Sequence, residues 1–95
     1  MKLSQVSLSE VKDFCGISDD DSDTLIQDII MPAAASFIRE YTGLTAEQAD
    51  ALEDLTLPYL VMIDEMYTSR DYAVTKDKLN PYVKTVLDMH SVNYL

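Results

Sequence analysis

Helix punctuation divides this sequence from end to end, and it constrains the fold more than any other feature. Ser7-Leu8-Ser9-Glu10 and Thr45-Ala46-Glu47-Gln48 have the S/T-x-x-E/Q form of a capping box, in which two side chains serve orphan amides at a helix start. Gly16 and Gly43, the only two glycines, stand where a helix can stop in the left-handed conformation. Asn80-Pro81 supplies an N-cap residue followed by proline at the first helical position. Only the first six residues read as a short stretch of period two. The spacing predicts an all-α fold: a compact bundle of about four to five helices, two long ones packed antiparallel with shorter helices flanking them. The 95 residues make one domain, 1–95.

Between these marks the apolar residues assign faces. The first helix ends near Cys15, with Val11 and Phe14 on its buried side. The second covers residues 22–41. At about 100° per residue, Ile26, Ile29, Ile30, Ala33, Phe37 and Tyr41 form its apolar stripe. Pro32 falls on the polar side, where the carbonyl of Asp28 can be hydrated, so one bent helix is expected rather than two. A short helix runs to about Leu52, and a fourth from the turn holding Pro58 to about Arg70. Residues 69–78 read as a loop. The last helix begins at Asn80-Pro81, puts Val83, Val86, Leu87 and His90 on one face, and leaves residues 91–95 as a loose tail. On the fourth helix Tyr59, Leu60, Met62, Ile63, Met66 and Tyr67 span an arc of about 160°, more than a small monomer needs. Tyr59, Met62, Met66, Tyr67 and Arg70 are therefore the candidate surface for a second chain.

Charge narrows the function. The chain carries 17 acidic against 7 basic residues, net -10. Residues 1–56 hold 12 acids and 3 bases, whereas residues 57–95 hold 5 and 4. Such a balance opposes nucleic-acid wrapping, which needs clustered Lys and Arg, and it suits a partner with a basic face. One cysteine, Cys15, has no internal disulfide partner, which fits a reducing compartment. No apolar run is long enough for a signal peptide or a membrane span.

The stretch Ser18 to Asp23, SDDDSD, places Asp19, Asp21 and Asp23 at alternate positions, like the opening of a calcium loop. Counting from Asp19, the sixth position is Thr24 and the twelfth Ile30, so the required glycine and closing glutamate are both missing. The simpler reading is a helix cap by Asp20 or Asp21, with Asp23 favoured by the positive end of the helix dipole. Asp19, Asp20, Asp21 and Asp23 then form a candidate acidic surface. His90 lacks a second ligand at metal spacing, and Cys15 closes a helix rather than opening one, where its thiol would be activated. Asp64 and Glu65 are adjacent on a helix and point about 100° apart, so they do not share a reacting centre. With two glycines there is no phosphate loop. No metal, no cofactor and no catalytic set is expected.

The order of these elements resembles the small helical head-tail connector proteins of tailed bacteriophages, a family also described as phage DNA-packaging proteins. Leu8 to Ile17, the aspartates Asp19 to Asp23, and Leu25-Ile26-Gln27 resemble its opening. Phe37 to Gly43 resembles the close of its long helix, and Tyr67 to Asp71 the aromatic and arginine close of its next one. Leu79-Asn80-Pro81 with Val83 and Leu87 resembles its last helix. Order and spacing carry the resemblance, since each piece alone is ordinary helix punctuation. It implies a structural subunit, not an enzyme. Such a subunit forms a homo-oligomeric ring between portal and neck or tail proteins and works in head completion and DNA packaging. It would be made in the bacterial host cytoplasm, prophage-encoded where the gene lies in a bacterial genome, and end in the virion at the head-tail junction. DNA would pass through the ring without specific binding, and an acidic lumen would keep it from sticking. The rival readings are an acidic helical adaptor and a DNA mimic that occupies a basic partner. Mimicry calls for carboxylates spread at phosphate-like spacing, and here they are concentrated in one loop.

Overall fold

The computed structural model describes residues 2–70 and 78–91. Every regular element among them is helical. Leu3–Gln5, within the one stretch that reads as period two, is a short 3-10 turn, in keeping with the all-α expectation. Helix α1 is Leu8–Cys15, opened by the reciprocal Ser7–Glu10 box and closed by Gly16 at φ 73°. Asp23–Leu25 (α), Ile26–Ile30 (π) and Met31–Thr42 (α) join into one rod of 20 residues, α2, which Gly43 closes at φ 75°. Helix α3 is Ala46–Asp50, opened by the Thr45–Gln48 box. A 3-10 turn, Glu53–Leu55, leads into α4, Thr56–Ser69. Helix α5 is Pro81–His90, capped by Asn80, whose Oδ1 accepts from Tyr82 N and Val83 N. The expected loop over residues 69–78 and the tail over 91–95 fall mainly outside the described residues.

The long helices are antiparallel. Tyr59, early in α4, donates its hydroxyl to the carbonyl of Met31 in mid-α2 at 3.3 Å. Tyr67, near the end of α4, reaches Ser22 Oγ before the start of α2 at 3.4 Å. Chain number rises along one helix as it falls along the other. Helix α4 also packs on α1 and α5. That explains its wide apolar arc: Pro58, Tyr59, Met62, Ile63 and Met66 are all buried, each on a neighbour within the chain.

The π turn sets the face that α2 buries. Its interior residues recur every four positions: Ile26, Ile30, Ala34, Ile38 and Thr42, all 0% exposed. In a regular α-helix each such step drifts about 40°, or about 160° over the series, because a turn takes 3.6 residues. The π turn absorbs one extra residue, about 100° of that drift, and keeps the five residues on one side. It ends two residues before Pro32, which cannot donate to a regular ladder and would clash with the carbonyl four residues back. Met31 N–H accordingly bonds to the carbonyl of Ile26, five residues back. The stripe expected from a uniform period is corrected: Ile29 is 50% exposed, and Ala33, Phe37 and Tyr41 flank the core rather than fill it. Phe14 is likewise exposed, while Val11 beside it is fully buried.

Polar ties fix the flanking pieces. Ser4 donates from both N and Oγ to Asp50, joining the N-terminal turn to α3 and holding the Asp50 carboxyl below its ordinary value. Tyr41 donates a short hydrogen bond to Asp88, and Ser91 Oγ donates to the Tyr41 carbonyl, so the ends of α2 and α5 meet. His90 Nε2 lies 2.7 Å from Asp54 Oδ2, linking the end of α5 to the turn before α4. No helix among the described residues is long and apolar enough to cross a membrane.

Candidate interaction surface

The aspartate loop is organised by a lysine that sequence reasoning left out. After Gly16 turns the chain, the loop folds back along α1. Lys12 in the last turn of α1 then places its ammonium 2.8 Å from Asp20 Oδ1 and 2.9 Å from Asp23 Oδ1. Hydrogen bonds to those carboxylates push the Lys12 ammonium above its ordinary value, and the same contact holds Asp20 below its own. Asp19 Oδ1 accepts from Asp21 N within the loop at 3.1 Å. Neither Asp20 nor Asp21 caps α2 with its side chain, contrary to expectation; Ser22 occupies the N-cap position, and its side chain makes no capping bond to the helix. The usable signal was a lysine just before a glycine stop, followed by acids within reach of a reversing chain.

Of the residues expected to meet a second chain, Tyr59, Met62 and Met66 are 3–4% exposed and belong to the chain's own core. Tyr67 is half-buried and Arg70 exposed. The Arg70 guanidinium carbon lies 4.5 Å from the centre of the Tyr67 ring, a cation–π contact. Large apolar side chains do reach the surface elsewhere: Phe14, Ile29, Leu57, Tyr82 and Met89, the last 69% exposed. Sequence reasoning missed them because it assigned Ile29 and Phe14 to the core and gave Leu57, Tyr82 and Met89 no face.

The groups that could do chemistry are kept apart or quenched. Burial pushes the Cys15 thiol up to about 11, with Asp64 beside it adding to the effect, so at neutral pH it is a protonated, poor nucleophile. Burial raises the Tyr59 phenol to about 12. His90 faces Asp54, not Cys15. A groove of about 290 Å³ between the N-terminal turn, α2 and α3 is lined by Leu3, Val6, Met31, Ala35 and Ala49, with Arg39 and Asp50 at its polar edge. Asp50 there is engaged by Ser4. No group of three or more His, Cys, Asp or Glu among the described residues could hold a metal ion.

The described residues form an all-helical domain with an acidic loop, a stacked cation and separate apolar side chains on its surface. The chain belongs to the phage gp6-like head-tail connector protein family, whose model matches residues 5–88. Its role is that of a phage head-tail connector, structural rather than enzymatic, and its place is the virion. No curated protein and no solved structure matches it.

Proposed function

We propose that this chain is the repeating subunit of a ring that sits between the portal and the neck or tail and takes part in head completion after DNA packaging. The family match over residues 5–88 carries this reading. The surface supports it. Leu57 and Met89 are 46% and 69% exposed, and the Asp54–His90 contact brings their two elements together. Exposed side chains of this size suit burial against protein. Tyr67 and Arg70 remain candidate contact residues; Tyr59, Met62 and Met66 act indirectly, by holding α4 in place. A net charge of -10 keeps free subunits soluble and gives the channel wall a sign that repels DNA phosphates.

The test is a phage with this gene interrupted. It should yield packaged heads that bear no tails, and supplying the protein in trans should restore tailed particles. Normal tailed particles from the interrupted phage would refute the reading.

A further inference from the structure

Arg39 is a half-buried cation that the chain does not answer. Lys12 and Lys84 each hold a carboxylate. Among the described residues no hydrogen bond or ion pair reaches the Arg39 guanidinium, although 17 acids are present. Its charge bears on Tyr59, but a phenol pushed up to about 12 is uncharged at neutral pH. Asp50, the acid in the same groove, is taken by Ser4. A partly desolvated guanidinium is a planar, forked donor suited to a carboxylate, and it is costly to leave alone. Beside it the groove of about 290 Å³ is lined mainly by apolar side chains. An apolar cavity of about 150 Å³ binds benzene, so there is room for large side chains. The site therefore suits apolar side chains that bring a carboxylate with them.

We infer that this groove is the receiving half of the contact between subunits, and that it takes Leu57 and Met89 of a neighbouring copy with the Asp54 carboxylate set against Arg39. This rests on the ring reading above and adds which surfaces meet. A closed ring needs a heterologous contact, two different patches that fit one another. Copies carrying a net charge of -10 repel unless the seam pairs opposite charges. Asp54 stands three residues before the exposed Leu57, and its Oδ2 faces His90, next to the exposed Met89. Its side chain stays 55% exposed, and a carboxylate has room for a second donor. The two patches lie on opposite flanks of α2. Met31, Ala35 and Arg39 line the groove, each one position after a residue of the buried row. Tyr41, one position before Thr42 of that row, is tied instead to Asp88 and Ser91 at the end of α5. Arg39 and Tyr41 are two residues apart, about 3 Å along the axis, so groove and α5 patch are level. Leu57 also points about 160° away from Tyr59, which lines the groove. Rotation about an axis along α2 then brings the patch of one copy to the groove of the next.

The test is sedimentation velocity of the full chain, alone and with portal protein. Wild type should form a ring. R39E and D54R should each weaken assembly at least tenfold, and the combined variant or an equimolar mixture of the two should restore it. Two variants at exposed positions block the contact without touching the core. A46W fills the mouth of the groove, and M89D puts a charge on the entering side chain. Both should melt close to wild type yet fail to assemble. They decide the matter should D54R, which loses its contact to His90, prove unstable. Three results overturn the proposal while leaving the ring intact: assembly unchanged in R39E, assembly unchanged in A46W or M89D, or no rescue when the two charge variants are folded and combined. A ring that survives A46W while portal binding is lost would give the groove to the portal and overturn it too. A wild type that stays monomeric with and without portal protein removes the ring reading and this proposal together.

Discussion

Lys12 and Asp23 stand 2.9 Å apart, ammonium to carboxylate, across the break between α1 and α2. The contact turns an aspartate run that looks like half a metal loop into a folded corner. Asp20 shares the same ammonium, so two of the four aspartates are answered inside the chain. Asp20 keeps 88% of its side chain exposed, so the corner is partnered yet still acidic at the surface.

Removing the lysine should loosen this corner. Lys12→Met should lower the melting temperature at neutral pH by a few degrees and leave helix content nearly unchanged. The pH dependence follows from the two shifts. Asp20 is lowered from its ordinary 3.8, so its contribution is complete above that value and is lost as pH falls through the folded-state value. Lys12 is raised from 10.5, so its contribution is complete below that value and is lost as pH rises through the folded-state value. Thermal melts of wild type and variant should therefore differ most at neutral pH and converge at both extremes.

Neighbouring isoleucines should behave unlike one another. Ile30→Ala empties a fully buried site and should cost about 2–5 kcal/mol. That is a large share of the roughly 5–14 kcal/mol expected for a domain this long. Ile29→Ala, half exposed on the π turn, should cost about 0.5 kcal/mol or less. Urea denaturation decides between them, and equal losses would restore the regular helical register.

The π turn is in effect an inserted residue, so deletion should undo it. Deleting Ile29 together with Pro32→Ala should give a folded chain with a continuous helix. Deleting Ser36, in the regular part of α2, should put Ile38 and Thr42 out of phase and unfold the domain. Circular dichroism and a cooperative melt distinguish the two deletions.

Tyr41→Phe removes the hydroxyl that α2 offers to Asp88 on α5. The expected loss is about 1 kcal/mol, the usual net value of one hydrogen bond. Equilibrium unfolding of the variant measures it. Asp88 keeps Lys84 as a partner at 2.8 Å, which limits the loss.

Much of this fold can be read from the sequence because its punctuation is local. Ser7 with Glu10, Gly16, Gly43, Thr45 with Gln48, and Asn80 each act on residues within a few positions, and each element boundary lies where they place it. What failed required three-dimensional context. A uniform period could not reveal that Pro32 is accommodated by a π turn, so Ile29 went to the wrong face. The wide arc of α4 could not reveal that three helices of the same chain would cover it, so Tyr59, Met62 and Met66 were assigned to a partner. The surface was less legible still. Lys12 meets acids eight and eleven positions away across a chain reversal, and Arg39 stands out only once the groove beside it has formed.

The central claim, a ring-forming connector subunit, is tested most directly by sedimentation velocity of the purified chain over a wide concentration range, alone and with the portal protein. The account predicts one large closed species of fixed mass, formed by the chain itself or on the portal. A species of monomer mass at every concentration in both arms would contradict it.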